Sequence, residues 1–216
     1  RLSVINLNPL NVSISSFSSS AAAPLIATPV EDTFTDDDGT ALTAHTPNVS
    51  PDDAMWVYQG SADIQIQTNR ARCEGNGINN IATIESGISD CDITSIIRYA
   101  GGVGDTSTDG VVLRYEDADN YYWIGPVANL NKFRIIKREG GSNSVPAEAT
   151  GITISVDTDY TITINADGTS IVAELNGANQ LTTTDSVHTT ETKHGINGYR
   201  GGSQKPQFDN FEVARL

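Results

Sequence analysis

From residue 110 onward, apolar and polar side chains alternate in short runs, and each run ends in a turn signal. In Gly110-Val111-Val112-Leu113-Arg114-Tyr115-Glu116 the period of two puts Val111, Leu113 and Tyr115 on one face of a strand. Asp117-Ala118-Asp119-Asn120 turns the chain, Tyr121-Tyr122-Trp123-Ile124-Gly125 returns it, and Lys132 to Arg138 forms the next strand. Tyr160, Ile162 and Ile164 point inward from a further strand. Asp167-Gly168 and Asn176-Gly177 are hairpin signals, because both central residues of the favoured two-residue turn need positive φ. They join Ser170–Leu175 to its neighbours on either side, and strands at His194–Tyr199 and Phe208–Val213 close the chain. Turn signals recur about every eight to twelve residues, with no amphipathic helical window and no fixed-period repeat. The pattern predicts an all-β fold, a two-sheet antiparallel jelly-roll sandwich.

Residues 1–30 follow another pattern. No residue from Leu2 to Val30 is charged, and Pro9, Pro24 and Pro29 exclude a helix across the segment. Leu2, Val4, Ile5, Leu7, Leu10, Val12, Ile14 and Phe17 make it too apolar for an ordinary disordered linker, which is usually charged and poor in aliphatic residues. We read it as an extended N-terminal docking arm (1–30) that orders on a partner, most simply a neighbouring subunit's sheet edge or groove. Residues 31–216 form the jelly-roll domain.

Charge narrows the set of partners. The 216 residues carry 27 acidic against 13 basic side chains, a formal charge of −14. Such a field repels phosphate backbones and anionic lipid, which disfavours nucleic acid and membrane surfaces. No stretch approaches the ~18 apolar residues of a membrane span. Arg1 is followed by no continuous apolar signal region, and a start on Arg leaves a removed leader open. The two cysteines, Cys73 and Cys91, sit in strands read as neighbours, so a cross-strand disulfide and two buried thiols are both compatible with the sequence.

A resemblance rests on residue order. Asp32-Thr33-Phe34 precedes an Asp/Gly-rich turn, then come Trp56-Val57, Thr68-Asn69-Arg70-Ala71, Gly110 to Tyr115, and Asn120-Tyr121-Tyr122. Tyr160-Thr161-Ile162, Ala166-Asp167-Gly168, Gly195-Ile196 and Phe208-Asp209-Asn210-Phe211-Glu212-Val213 follow. Over residues 31–216 this resembles the concanavalin A-like lectin/glucanase superfamily, in the laminin-G-like form found in secreted bacterial proteins and in phage tail or virion proteins. The resemblance specifies fold more than function, since that superfamily holds lectins, glucanases and structural modules. It implies a virion-surface or extracellular protein. Capsid or tail subunits would be its partners, met through the arm in a homo-oligomer. It also implies a structural Ca²⁺ clipping the first strand to the last. The hard oxygens of Asp32, Asp36, Asp38 and Asp209 are the candidate ligands, with a metal-free Asx turn as the alternative.

Catalytic signatures are missing from the sequence. Hydrolytic relatives place carboxylates on alternate residues of one strand, and this chain has no Glu-x-Asp-x-Glu run. There is no Gly-x-Ser-x-Gly elbow, no P-loop and no dinucleotide fingerprint, and the spacing of His188, Glu191 and His194 matches no zinc pattern. With Val111, Leu113 and Tyr115 inward, Arg114 and Arg134 fall outward, and with Tyr122 and Trp123 they are the candidate glycan-binding residues. Trp123 is more readily read as core filling than as a stacking platform. The basic stripe Lys132, Arg134, Lys137 and Arg138 either meets an acidic partner or balances an adjacent acidic strand. The sequence therefore points to a non-catalytic attachment protein, a virion decoration or tail component docking through its arm. The alternative is a carbohydrate-binding module.

Overall fold

The computed structural model describes residues 29–103 and 109–216. Most of the arm, with its eight apolar anchors from Leu2 to Phe17, lies outside the described residues. Within them the chain forms fifteen strands, three single-turn 3-10 segments and no α-helix. In chain order the strands are β1 (Val30–Asp32), β2 (Val57–Gln59), β3 (Ile64–Ile66), β4 (Ala71–Cys73) and β5 (Asn79–Glu85). Then come β6 (Cys91–Ala100), β7 (Gly110–Asp117), β8 (Asn120–Val127), β9 (Lys132–Glu139) and β10 (Ser142–Thr150). The last are β11 (Asp159–Asp167), β12 (Ser170–Leu175), β13 (Ala178–Thr184), β14 (Lys193–Tyr199) and β15 (Lys205–Arg215).

Two antiparallel sheets pack face to face. One runs β13-β12-β11-β6-β15-β4-β3 with β1 added on β15, and the other runs β10-β9-β8-β7-β14-β5-β2. Asn176 and Gly177 both adopt positive φ, 54° and 66°, so the expected hairpin turn joins β12 to β13. Inward-facing residues of both sheets make one core. At one end of it Phe34, Trp56 and Phe211 stack with ring centroids 5.7 and 5.2 Å apart.

Three details depart from the sequence reading. The first is β10, which the pattern missed: it is a largely exposed edge strand, interrupted by Pro146 beside a register shift, so it lacks an apolar period. Proline and a bulge also blunt that edge against further strand pairing.

The second concerns the cysteines. Cys73 and Cys91 are both buried free thiols. β15 lies between their strands, and Cys91 pairs with Arg215 while Ala71 pairs with Phe208. The thiols thus sit near opposite ends of an intervening strand, several residues apart at roughly 3.3 Å each, and cannot bridge.

The third is β7, where the face alternation breaks. Arg114 has φ 51° within a register shift between β7 and β8. Val111 and Leu113 face the core, but Tyr115 belongs to the opposite face, and the Arg114 side chain is driven inside.

Candidate functional site

The outward faces of the two sheets differ in chemistry. On the seven-stranded sheet Ile81, Val112, Tyr115, Tyr121, Trp123 and Ile136 form a second apolar cluster. Alternation along β8 puts Tyr121 and Trp123 there, while Tyr122 and Ile124 enter the core. Tyr121 has its ring centroid 5.2 Å from those of both Tyr115 and Trp123. Trp123 is only 8% exposed and Tyr121 5%, so the ladder offers little ring surface to solvent.

Arg134 lies on this same face, with its Nε donating to Glu148 Oε2 at 2.5 Å and Lys132 Nζ bound to Oε1 at 2.8 Å. Those two bonds hold the Glu148 carboxyl below its ordinary pKa. Lys137 pairs with Asp185 and Glu139, and Arg138 with Asp119. The basic stripe on β9 is thus matched by nearby carboxylates, one of them on the adjacent strand.

Of the four residues expected to meet a glycan, two are inside the sandwich. Arg114 is fully buried, donating to Ser89 O, Gly168 O and Asp90 Oδ1 at 3.1, 2.8 and 2.9 Å. The positive-φ residue that reversed the alternation is the reason it is not outward. Tyr122 is fully buried as well. Trp123 and Arg134 do share an outward face, two strand positions apart across the β8–β9 pair.

The aspartates considered for calcium are engaged separately. Asp32, buried, accepts from Trp56 Nε1 and Phe34 N at 2.7 Å and contacts His45 Nε2 at 2.9 Å. His45 Nδ1 is 3.1 Å from Asp36 Oδ2. Burial disfavours charge on this imidazole, but the bonds to Asp32 and Asp36 outweigh it and raise its pKa. The His45 ring thus occupies the space between two of the expected ligands. Asp38 accepts from Thr68 N, and Asp209 lies 3.5 Å from Arg70 Nη2. The four carboxylates do not fit a common Ca²⁺ site, and among the described residues no group of three His, Cys, Asp or Glu is arranged around a metal. The pairing of β1 with β15 itself clips the first strand to the last.

Cys91 and His194 are the nearest thing to a nucleophile and base, with Sγ 3.7 Å from Nε2. Burial pushes the thiol up to about 12 and the imidazole down to about 4. His194 Nδ1 accepts from Arg114 N and Nε2 contacts Ile88 O. At neutral pH both groups are therefore uncharged, and the pair packs rather than reacts. His188 contacts Glu116 and the Arg138 carbonyl, apart from the partners of His194.

An open concavity lies on the other sheet. A groove of about 480 Å³ runs across β6, β11 and β12, lined by Asp92, Thr94, Thr163, Asn165, Val172, Glu174 and Gln180. Their inward neighbours Ile93, Ile164 and Ala173 belong to the core, so alternation sends this set outward. Register aligns Asp92 with Asn165 and Val172, and Thr94 with Thr163 and Glu174. Asn165 Nδ2 donates to Asp92 Oδ1 at 2.7 Å, and Gln180 Nε2 to Glu174 Oε1 at 2.9 Å. Two amide–carboxylate pairs therefore flank threonine hydroxyls and an aliphatic floor, a donor and acceptor array suited to a polyhydroxylated ligand. None of these residues stood out in the sequence. Their polar alternation is visible there, but only the strand order brings β6 beside β11.

No protein-family model and no curated protein matches the sequence. Solved structures do. The carbohydrate-binding module CBM66 from Bacillus subtilis is 22% identical with a TM-score of 0.59, over 74% of this chain and 94% of that one. The lumenal domain of VIP36, in a form bound to Ca²⁺ and mannose, is 13% identical with a TM-score of 0.53, over 74% and 83%. The GH43 protein BlXynB from Bacillus licheniformis is 13% identical with a TM-score of 0.62 over 86% of this chain, which spans only 39% of that protein. These likenesses carry no support for a phage, capsid or tail context. What they show is the fold: the body of this chain is a jelly-roll β-sandwich.

Proposed function

We propose that this protein is a carbohydrate-binding module and that its ligand is a neutral glycan held in the groove across β6, β11 and β12. This reverses the order of the two readings that the sequence supports, because the structural likenesses include a carbohydrate-binding module and a mannose-bound lectin domain. The observation that carries the site is the pair of cross-strand amide–carboxylate couples on an open sheet face. Each couple uses one carboxylate oxygen, so the second oxygen and the amide carbonyl remain to accept from vicinal hydroxyls. Thr94 and Thr163 supply hydroxyls that both donate and accept.

The charge of the groove selects among sugars. Asp92 and Glu174 line it and no basic side chain does, so uronates, sialates and sulfated sugars are repelled. With no aromatic platform in the groove, affinity rests on hydrogen bonds worth about 1 kcal/mol each. Four to six of them give a Kd on the order of 0.1 mM. Calorimetric titration with neutral and acidic oligosaccharides tests the reading. Asp92→Ala and Gln180→Ala should each weaken neutral-sugar binding about tenfold, the loss of one or two such bonds. Absence of binding across a neutral glycan array, or affinity that neither substitution changes, would sink the site.

A further inference from the structure

The groove across β6, β11 and β12 has a shape that selects among neutral glycans. Ile93 and Ile164 line it although their side chains lie in the core, so they meet it through their backbone. They form a floor between two cross-strand rows of outward side chains. Asp92, Asn165 and Val172 make one wall, and Thr94, Thr163, Glu174 and Gln180 make the other. The rows are two residues apart along each strand, about 6.7 Å, and the longer one crosses three strand spacings, about 14 Å. The groove is therefore a narrow trench perpendicular to the strands.

Among the described residues, both ends of the trench are open. β13, which carries Gln180, is the edge strand, so the trench runs off the sheet there. At the other end the two rows continue onto β15 as the small Ala214 and Glu212, the partners of Asp92 and Thr94. Each wall also carries one amide–carboxylate couple, Asp92 with Asn165 on one and Glu174 with Gln180 on the other. A ligand lying in the trench is thus held by both of its edges.

We propose that the trench takes an internal, unbranched stretch of an equatorially linked neutral glycan, of the β-1,4 type, about three units long. This rests on the glycan reading of the groove. An equatorial linkage keeps successive pyranose rings in a straight ribbon that advances by about one strand spacing per unit, so three units span the trench. An axial linkage curls the chain, and a curled chain does not fit between straight walls. Both edges of the ribbon carry hydroxyls, matching the couples on both walls. A branch on any unit in the trench would meet a wall, while two open ends let the rest of the polymer pass.

Calorimetric titration of the full chain with linear xylo-, manno- and cello-oligosaccharides of one to six units tests this. In the series that binds, affinity should rise at least tenfold from one unit to three and then stay level from four to six. Malto-oligosaccharides, which are axially linked, should bind at least tenfold more weakly at equal length. A hexasaccharide opened by borohydride at its reducing end and capped at the other should keep its affinity within twofold. Loss of binding on capping, or binding confined to axially linked or branched sugars, would overturn the proposal. If a monosaccharide binds as well as the hexasaccharide and Asp92→Ala still weakens it, the groove reading stands and the internal-chain inference falls. If no neutral sugar binds, both fall.

Discussion

Asp32 shows what one buried carboxylate can organise: it accepts from an indole, a backbone amide and a histidine at once. With His45 already bridging Asp32 and Asp36, a chelator has no ion to remove there, so EDTA should leave the melting temperature unchanged. A drop on chelation, reversed by Ca²⁺, would contradict the geometry. The two buried histidines titrate in opposite senses. His45 has a raised folded pKa, so its contribution is present below the unfolded value near 6.5 and is lost as pH rises through the folded one. His194 has a folded pKa lowered to about 4. Its contribution is full above the unfolded value and is lost as pH falls from about 6.5 to about 4, an effect of about 3 kcal/mol. Urea unfolding across that window should show a steeper loss in the native chain than in His194→Gln, and parallel curves would refute the assignment. The sequence showed these residue types but not their partners, because Asp32 and Trp56 lie 24 positions apart.

At the scale of elements, β7 is the strand whose geometry departs most from its sequence pattern. Alternation assigned Val111 and Leu113 correctly, and one left-handed residue then moved Tyr115 to the outer face and Arg114 to the interior. A non-glycine residue in that conformation costs of order 1 kcal/mol or more, so compensation is needed. Arg114 supplies it, by tying β7 to the turn before β6 and to the β11–β12 hairpin through three hydrogen bonds. Arg114→Met keeps bulk but strands two carbonyls, and should cost about 3 kcal/mol in denaturant unfolding. Arg114→Lys should restore little, since one ammonium cannot span the three acceptors. Close strand approach matters on the same sheet. A Cβ on Gly110 would meet Ile124 O at 2.0 Å, and one on Gly125 would meet Asp109 O at 1.8 Å, so both positions hold residues without one. Strands whose apolar residues alternate were legible, and the edge strand β10 was not, because an exposed edge needs no apolar face.

For the whole molecule, an acidic body that binds neutral sugar through hydrogen bonds should do so with little dependence on salt, because no counterions are released. Titrations at about 0.05 and 0.5 M salt that differ more than about threefold would point to an ionic ligand instead. The all-β class, most strand positions and the Asn176-Gly177 turn were determined by the sequence alone, because a side-chain period of two and the positive-φ demand of an Asn-Gly turn are local properties. The tertiary structure decided what depends on neighbours distant in the chain. It set β15 between the cysteines, put His45 where a metal was expected and sealed the aromatic ladder of the seven-stranded sheet. It also aligned β6, β11 and β12 into the one polar groove proposed to hold a ligand. Alternation tells which residues share a face of one strand, but only strand order tells which strands share a sheet, and a binding surface is made of several.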